Sequence, residues 1–218
     1  MNVQHIQTIF FDYDGTIHNS LAIYEPAFLK AYDFLVENNH AKPYDWTSQE
    51  ISQFLGQTPK EMWNAFGEDI KEDAKNKASK IISDEMQRLI LNKQASLYDG
   101  AMDTLKYLKS KGYKLIFISN CKQYYLESHA EIFHLDDIFD LMVCSETFEV
   151  EEKHLVLERI LNDYPEKSVI IGDRHHDIQA GKYNKIYTIG CRYGFGNDEE
   201  LKEADMTIDT IKELEKIF

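Results

Sequence analysis

The chain has 218 residues, of which 43% are hydrophobic and 28% are charged, a composition typical of one large globular domain or of a domain with an insert. Its 38 acidic and 24 basic side chains give a net charge of −14, which disfavours binding to nucleic acid or to anionic membranes. No apolar run approaches the about 18 residues of a membrane span, so we expect neither a signal peptide nor a transmembrane helix. Three widely spaced cysteines, Cys121, Cys144 and Cys191, argue against a disulfide framework and favour a reducing, cytoplasmic location.

Six short runs rich in apolar and β-branched residues predict the strands of a parallel sheet. Helical patterns separate these runs. Continuous apolar strands that alternate with helices are typical of an α/β fold in which helices cover both faces of the sheet. The predicted strands are Ile6–Phe11, Lys114–Ser119, Leu141–Cys144, Ser168–Gly172, Ile186–Ile189 and Met206–Ile208.

The segment between the first two predicted strands has a helical pattern throughout. It is about a hundred residues long, far more than a crossover between parallel strands needs. Apolar side chains recur at helical spacing from Leu21 to Leu35 and again from Ile70 to Ile90, which favours core packing over a ligand pocket. We therefore predict an α/β core domain of residues 1–15 and 98–218 that carries an all-helical cap domain of residues 16–97.

Several helix ends can be assigned from their capping residues. The segment "TSQE", from Thr47 to Glu50, predicts a capping box. The segment "TPKE", which begins at Thr58, predicts a second one with proline at the first helical position. Asp99 is predicted to cap the helix that precedes the second strand, and Gly112 is predicted to end it.

Two aspartates, Asp12 and Asp14, directly follow the first predicted strand in "FFDYDGT". Carboxylates two residues apart on a strand point to the same side, and ligands of open α/β sheets bind at the carboxyl ends of strands. The repulsion between the two groups is relieved when a divalent cation takes their oxygens as ligands. Gly15 permits a sharp turn and Thr16 adds a hydroxyl. A solvated Asp-Gly turn is the alternative interpretation.

Polar side chains follow the other predicted strands as well. Ser119 and Asn120 end the second strand, and Asp173 and Asp177 follow the fourth in "GDRHHD". Lys153 stands just before a predicted helix. Each residue is ordinary by itself. Their order and positions together place a nucleophile, a hydroxyl, a cation and further acids at the mouths of neighbouring strands, which is the pattern of a catalytic site.

This arrangement resembles the haloacid dehalogenase (HAD) superfamily over essentially the whole chain, with all four sequence motifs in order. "DYDGT" is similar to the first motif, Ser119 to the second, Lys153 to the third and "GDRHHD" to the fourth. The segments "YDGAMDTLKYLKSKGYKLIFISN" and "YGFGNDEELKEADMTID" resemble the phosphoglycolate-phosphatase-like branch. The resemblance implies a HAD-like Rossmannoid fold, with a parallel sheet, helices on both faces and an inserted helical cap.

The resemblance also implies a phosphoric monoester hydrolase that uses Mg²⁺ and an aspartyl-phosphate intermediate. In that mechanism Asp12 is the nucleophile, and Asp14 is the general acid and base, with a pKa above that of a free aspartate. Asp177 is either a metal ligand through water or a clamp on Lys153. The implied site residues are Asp12, Asp14, Ser119 and Lys153 for catalysis, Thr16, Asn120 and Lys153 for substrate binding, and Asp12, Asp14 (through its carbonyl), Asp173 and Asp177 for Mg²⁺.

An aspartate at position 14 favours phosphoryl transfer over dehalogenation, because a displaced halide needs no general acid. The expected substrate is a small phosphorylated metabolite, and the expected enzyme is a monomer or small homo-oligomer. A sugar phosphomutase resembling β-phosphoglucomutase is the first alternative, since it would use the same residues. A non-catalytic phosphate-binding protein is the second, and the presence of every motif residue argues against it.

Overall fold

The computed structural model describes residues 5–57, 59–66, 70–148, 152–164 and 167–218. The chain divides into two compact units. The first, here called the core unit, contains Met1–Asn19 and Leu97–Phe218, and the second, here called the helical unit, is Ser20–Ser96. The first boundary lies beyond residue 15 because the next turns belong to the core unit: the Gly15 backbone N–H donates to the His18 carbonyl at 2.9 Å, and Ile17 is fully buried.

A parallel sheet forms the centre of the core unit. Its six strands, counted over the described residues, lie in the spatial order third, second, first, fourth, fifth and sixth, and every pairing is parallel. This confirms the predicted fold class. The strands are β1 (Thr8–Phe11), β2 (Lys114–Ser119), β3 (Leu141–Cys144), β4 (Ser168–Gly172), β5 (Tyr187–Cys191) and β6 (Met206–Ile208).

Two strands differ from the predicted bounds because pairing, which is a long-range property, sets where a strand begins and ends. β1 begins at Thr8 rather than at Ile6, where its register with β2 and β4 starts. β5 begins one residue after Ile186, because the backbone N–H of Ile186 donates to the Gly181 carbonyl at 3.0 Å. It then extends to Cys191, which pairs with Ile208.

Helices connect the strands and fill the insert. Among the described residues, no helix combines the length and the apolar character that crossing a membrane requires. Short 3-10 helices lie at Leu135–Asp137, Ser145–Phe148 and Ile211–Glu213. The α-helices are α1 (Leu21–Glu37), α2 (Ser48–Ser52), α3 (Pro59–Phe66), α4 (Glu72–Leu91), α5 (Ala101–Ser110), α6 (Gln123–Phe133), α7 (Lys153–Leu161), α8 (His175–Tyr183), α9 (Asp198–Leu201) and α10 (Leu214–Ile217).

The sheet buries side chains on both faces. On one face Phe10 belongs to a core cluster that includes Leu157 of α7 and Ala180 of α8. Phe11, the next residue of the strand, points to the other face, where its ring meets Phe139 edge-on at 6.3 Å. Because both faces are covered, the central strands β1, β2 and β4 carry polar residues only at their ends.

The helical unit has an aromatic core of its own. Its helices α1 and α4 pack against each other, and Phe28 stacks on Phe54 with ring centroids 5.5 Å apart. The capping box predicted at Thr47 and Glu50 is confirmed, since each residue accepts a backbone N–H of the other. Thr58, the predicted cap of the next helix, lies outside the described residues.

The predicted N-cap of α5 is wrong. Gly100, not Asp99, occupies that position with φ +79°, and the Asp99 carboxylate instead pairs with Lys212 at 2.6 Å. A side chain at residue 100 would overlap that of Lys212 and would be strained by the positive φ, so glycine is favoured there. At the other end of the helix the C-cap is Lys111, and Gly112 follows it with φ +89°.

Candidate active site

The carboxyl ends of the central strands bring the predicted site residues to one edge of the sheet. Asp12 directly follows β1, and its backbone N–H donates to the Ile171 carbonyl of β4 at 2.9 Å. Ser119 is the last residue of β2, and Asp173 directly follows β4. Since β1 lies between β2 and β4, the carboxyl ends of these three strands are neighbours at this edge of the sheet.

Lys153 links the acids of the site. Its ammonium donates to Asp12 Oδ1 at 2.5 Å and to Asp177 Oδ1 at 2.6 Å, and all three residues are buried. Burial disfavours the charged ammonium, but the charges of Asp12 and Asp177 outweigh that effect and raise the pKa of Lys153. The lysine is therefore a permanent cation. Of the two roles considered for Asp177, the structure contains the clamp on Lys153.

Three buried carboxylates lie close enough to share a metal ion. Asp12, Asp173 and Asp177 each offer a carboxylate oxygen, and these oxygens lie within 4.8 Å of one another. Burial and the Asp177 charge raise the pKa of Asp12 to about 7, although Lys153 lowers it. Burial together with the Asp12 and Asp177 charges also raises the pKa of Asp173. With all three carboxylates ionised, one lysine would leave two negative charges unbalanced, and a divalent cation would neutralise them.

Asp173 is positioned by a segment whose role the sequence reasoning missed. Its Oδ2 accepts the Phe195 backbone N–H at 2.6 Å, whereas its Oδ1 is buried with no hydrogen-bond partner in the described part of the chain. A side chain at Gly15 or Gly194 would overlap the Asp173 side chain, and one at Gly196 would overlap its carbonyl oxygen. The two glycines that flank Phe195 in "YGFGN" are the signal that could have indicated this close approach.

Asp14 differs from the expectation in its electrostatics. Its Oδ1 accepts hydrogen bonds from His18 Nδ1 at 2.9 Å and from the Tyr125 hydroxyl at 2.8 Å. Burial alone would raise the pKa of Asp14, but the hydrogen bonds and charges of His18, His129 and Tyr125 outweigh it, and the pKa is lowered. The raised pKa expected from the resemblance is therefore wrong for this structure. Residues 18 and 125 carry no motif and were missed.

The predicted substrate-binding residues lie at the same strand ends. Ser119 is buried, and its hydroxyl accepts the Cys121 backbone N–H at 3.2 Å. Asn120 Oδ1 is buried without a hydrogen-bond partner among the described residues. Thr16 is fully buried, and its carbonyl accepts the Tyr193 hydroxyl at 2.9 Å. Their roles toward a substrate stay predictions.

Arg174 and His175 hold the start of α8 rather than the centre of the site. Arg174 Nε donates to Glu200 Oε2 at 2.8 Å, and the His175 backbone N–H reaches the same oxygen at 3.2 Å. Glu200 belongs to α9, so the contact ties two helices together next to Asp173. Glu200 lies in the segment "YGFGNDEELKEADMTID", but no role was predicted for it.

Comparison with known proteins decides the family. A family model of haloacid dehalogenase-like hydrolases matches residues 9–191. The chain belongs to this family. The predicted superfamily, and with it the prediction of an enzyme of the hydrolase class, are confirmed. The matched residues include Asp12, Ser119, Lys153 and Asp173, so the family match spans all four motif positions.

Individual HAD relatives are similar along nearly the whole chain. Pyrophosphatase PpaX of Bacillus pumilus (strain SAFR-032) is 25% identical over 206 residues, which cover 92% of this chain and 90% of that protein. Among solved structures, a predicted phosphatase from Clostridium acetobutylicum has a TM-score of 0.79 at 23% identity, covering 98% of both chains. A predicted phosphoglycolate phosphatase from Haemophilus somnus 129PT has a TM-score of 0.83 at 18% identity, covering 97% of both chains. At these identities the two structures establish the shared fold.

Proposed function

We propose that this chain is a Mg²⁺-dependent phosphatase that hydrolyses a small phosphomonoester through an aspartyl-phosphate on Asp12. The observation that carries the proposal is the buried group of Lys153 and three aspartates at the carboxyl ends of β1 and β4. A cation beside a carboxylate nucleophile is what phosphoryl transfer requires, since charge accumulates on the transferred group. Membership of the HAD hydrolases supports the same chemistry.

The residues present fit a magnesium ion. Asp12, Asp173 and the carbonyl of Asp14 would hold it, and carboxylate and carbonyl oxygens are the ligands that Mg²⁺ prefers. The buried, unpartnered Oδ1 of Asp173 is the atom that most needs a cation. When bound, the ion would neutralise phosphoryl oxygens and orient the group for in-line attack. Asp177 contributes chiefly by fixing Lys153, because its Oδ1 accepts the lysine ammonium.

The protein side chains divide the remaining work. Asp12 attacks phosphorus with a carboxylate oxygen, and its contact with Lys153 orients the carboxylate and favours its ionised form. Lys153 and the Ser119 hydroxyl hold the transferred phosphoryl group, with Thr16 and Asn120 lining the same position. Asp14 donates a proton to the leaving oxygen, and afterwards takes one from the attacking water. Because its pKa is lowered in this structure, the negative charge of the bound phosphate must raise that pKa for Asp14 to carry the proton.

The substrate proposed is a small phosphorylated metabolite in the cytoplasm, and the enzyme acts as a monomer or small homo-oligomer. The net charge of −14 keeps nucleic acid and anionic membranes away. Inorganic pyrophosphate is one candidate, because a relative matched over most of both chains is named a pyrophosphatase. Phosphoglycolate is another, from the branch that the sequence resembles. In this proposal the helical unit is the cap that selects between them.

The test is phosphate release from a panel of phosphate esters and pyrophosphate, with Mg²⁺ and with chelator. We expect release to require the metal, and Asp12→Asn to lower it by at least about 1,000-fold, since the nucleophile is lost. Asp163→Asn is the matched control, because residue 163 is exposed and belongs to none of the four motifs. It should keep the wild-type rate.

Two results would contradict the proposal. One is release that survives either the chelator or Asp12→Asn in a folded protein. The other is no release from any compound of the panel, in which case interconversion of sugar phosphates becomes the next assay. Among the compounds whose phosphate release depends on Asp12, the one hydrolysed fastest would indicate the natural leaving group.

A further inference from the structure

The carboxyl group of Asp14 is held unsymmetrically. Oδ1 accepts two hydrogen bonds, one from His18 Nδ1 at 2.9 Å and one from the Tyr125 hydroxyl at 2.8 Å. Oδ2 accepts none from any residue that the structure describes. A carboxylate can only accept, so the His18 hydrogen is assigned to Nδ1. The side chain of Asp14 remains 21% exposed, which leaves it accessible to a small substrate.

The two donors are themselves fixed by a cluster of buried, contacting rings within the core unit. The Tyr13 ring stacks on His18 with centroids 5.2 Å apart and an interplanar angle of 14°. The His129 ring lies 4.5 Å from His18 and 4.2 Å from Tyr125. His129 Nδ1 and the Tyr13 hydroxyl are 2.6 Å apart, which closes the group. Neither donor can rotate away from Asp14 without disturbing these contacts.

The arrangement has an energetic cost that packing alone does not explain. His18 and His129 are fully buried, and their Nε2 atoms have no hydrogen-bond partner among the described residues. A buried polar atom without a partner costs about 1–3 kcal/mol. An apolar side chain at position 18 or 129 would avoid this cost, so two buried histidines here call for a function.

We propose that His18 and Tyr125 are positioning residues that fix Oδ1 of Asp14 and thereby present Oδ2, which accepts no hydrogen bond from the described residues, to the substrate. The inference rests on the proposed phosphatase function and assigns two residues to it that belong to none of its motifs. The donors act through Asp14 and do not touch the substrate. Their hydrogen bonds persist whether or not Oδ2 is protonated, because Oδ1 accepts in both forms.

The proton transfer is coupled to the first chemical step. A bond forms between an Asp12 oxygen and phosphorus while the bond between phosphorus and the ester oxygen breaks. The ester oxygen keeps the electron pair of that bond and takes the proton from Asp14 Oδ2. The products are an alcohol, an aspartyl-phosphate and an ionised Asp14. In the second step Oδ2 takes a proton from water as that water attacks phosphorus, which restores Asp12 and releases phosphate.

The test compares substrates that differ in their need for this proton. Hydrolysis of an alkyl phosphate releases a strongly basic alkoxide, so its rate depends on the general acid. Hydrolysis of 4-nitrophenyl phosphate releases a stabilised phenolate, so its rate depends on the general acid little. Tyr125→Phe removes one hydroxyl and keeps the ring. We expect it to lower kcat for an alkyl phosphate by about 10- to 100-fold, and to change kcat for 4-nitrophenyl phosphate and both KM values by less than about 3-fold.

A pair of variants at position 18 provides an independent measurement. Asn presents an amide N–H near the position of His Nδ1, so His18→Asn should retain most of the alkyl phosphatase activity. His18→Leu has no donor and should show the same selective loss as Tyr125→Phe. Tyr113→Phe is the matched control: it also removes one hydroxyl hydrogen bond, to the Phe218 carbonyl, but at the amino end of β2. Its rates should equal those of the wild type on both substrates.

The outcomes separate this inference from the proposed function. Equal losses on both substrates in Tyr125→Phe and His18→Leu would mean that the residues only support the fold, and would overturn the inference. Wild-type rates in both variants would overturn it too, while the Asp12 result still supported the phosphatase. A wild-type protein that releases no phosphate from either substrate would contradict the phosphatase and the positioning role together.

Discussion

Among single residues, Gly15 sets how closely the turn after β1 can approach Asp173, one of the proposed metal ligands. Its φ of +84° lies in the left-handed region, and a Cβ built on it would overlap the Asp173 carboxylate. Two separate constraints thus act at one position. The first is backbone strain, and the second is contact with a group whose exact placement the proposed metal site needs.

Gly15→Ala should therefore cost more than backbone strain alone. The left-handed conformation costs an alanine about 1–2 kcal/mol, and displacement of Asp173 adds to that. We expect the free energy of unfolding, measured with urea, to fall by more than about 2 kcal/mol. The affinity for Mg²⁺, measured by calorimetry, should fall as well.

Gly112→Ala separates the two constraints. Gly112 has φ +89°, but a Cβ there would have no neighbour within 4 Å, so only strain is added. This variant should lose about 1–2 kcal/mol and bind Mg²⁺ as the wild type does. Equal losses in the two variants would show that Asp173 is not held against Gly15.

Among the secondary-structure elements, the junction of α8 and α9 depends on one carboxylate. Glu200 of α9 accepts from Arg174 Nε and from the His175 backbone N–H at the start of α8. A negative charge at a helix N-terminus is favourable, because the helix dipole is positive there. Burial alone would raise the pKa of Glu200, but the hydrogen bonds of His175 and Arg174 prevail and lower it from 4.5 to about 2.

The lowered pKa predicts how stability depends on pH. A group whose pKa is lower in the folded state contributes stability above its unfolded pKa and loses it as the pH falls through the folded value. The contribution of Glu200 should therefore be complete above pH 4.5 and fade toward pH 2, and it amounts to no more than about 3 kcal/mol. Urea unfolding of the wild type and of Glu200→Gln across this range measures it.

The stability difference between wild type and Glu200→Gln should shrink as the pH falls from 4.5 to 2. Glu203→Gln is the control, because residue 203 is exposed in the same stretch of chain. Its difference from the wild type should stay small and constant with pH. If the stability difference between wild type and Glu200→Gln does not change with pH, the pKa of Glu200 is the same in the folded and unfolded states, and this prediction is wrong.

The bounds of the secondary-structure elements show how much of the fold the sequence can predict. Local patterns were sufficient for β2, β3, β4 and β6, whose bounds match the predicted ones, because each is a short apolar run between polar segments. Local patterns were insufficient where the position of a side chain depends on a hydrogen-bond partner that is distant in the sequence. The Asp14 donor Tyr125 is 111 residues away, and the Asp173 donor Phe195 is 22 residues away. The motif residues could be singled out because they are polar residues at the ends of predicted strands. Of the groups that orient them, Phe195 is marked only by its flanking glycines, and Tyr125 has no local signature.

For the whole molecule, the two chain segments that form the core unit are adjacent at the point where the helical unit is inserted between them. His18 and Leu97 pair as an antiparallel bridge, and the Tyr98 backbone N–H donates to the Ile17 carbonyl at 2.9 Å. The two segments of the core unit therefore lie side by side where the chain leaves and re-enters it. A short connection can join them without stretching the backbone, and its closure entropy would be small.

Replacing Ser20–Ser96 with a short Gly-Ser linker should accordingly give a folded core. We expect cooperative urea unfolding, a circular dichroism spectrum of an α/β protein and retained Mg²⁺ binding, because the proposed ligands Asp12, Asp14 and Asp173 all belong to the core unit. A shorter core that joins residue 15 to residue 98, at the boundaries predicted from the sequence, is the comparison. It lacks the fully buried Ile17 and should be less stable by about 1.5–3 kcal/mol, which is the contribution of one buried isoleucine side chain. Equal stability of the two proteins would place the boundary at residue 15, and failure of both to fold would mean that the core unit depends on the helical unit.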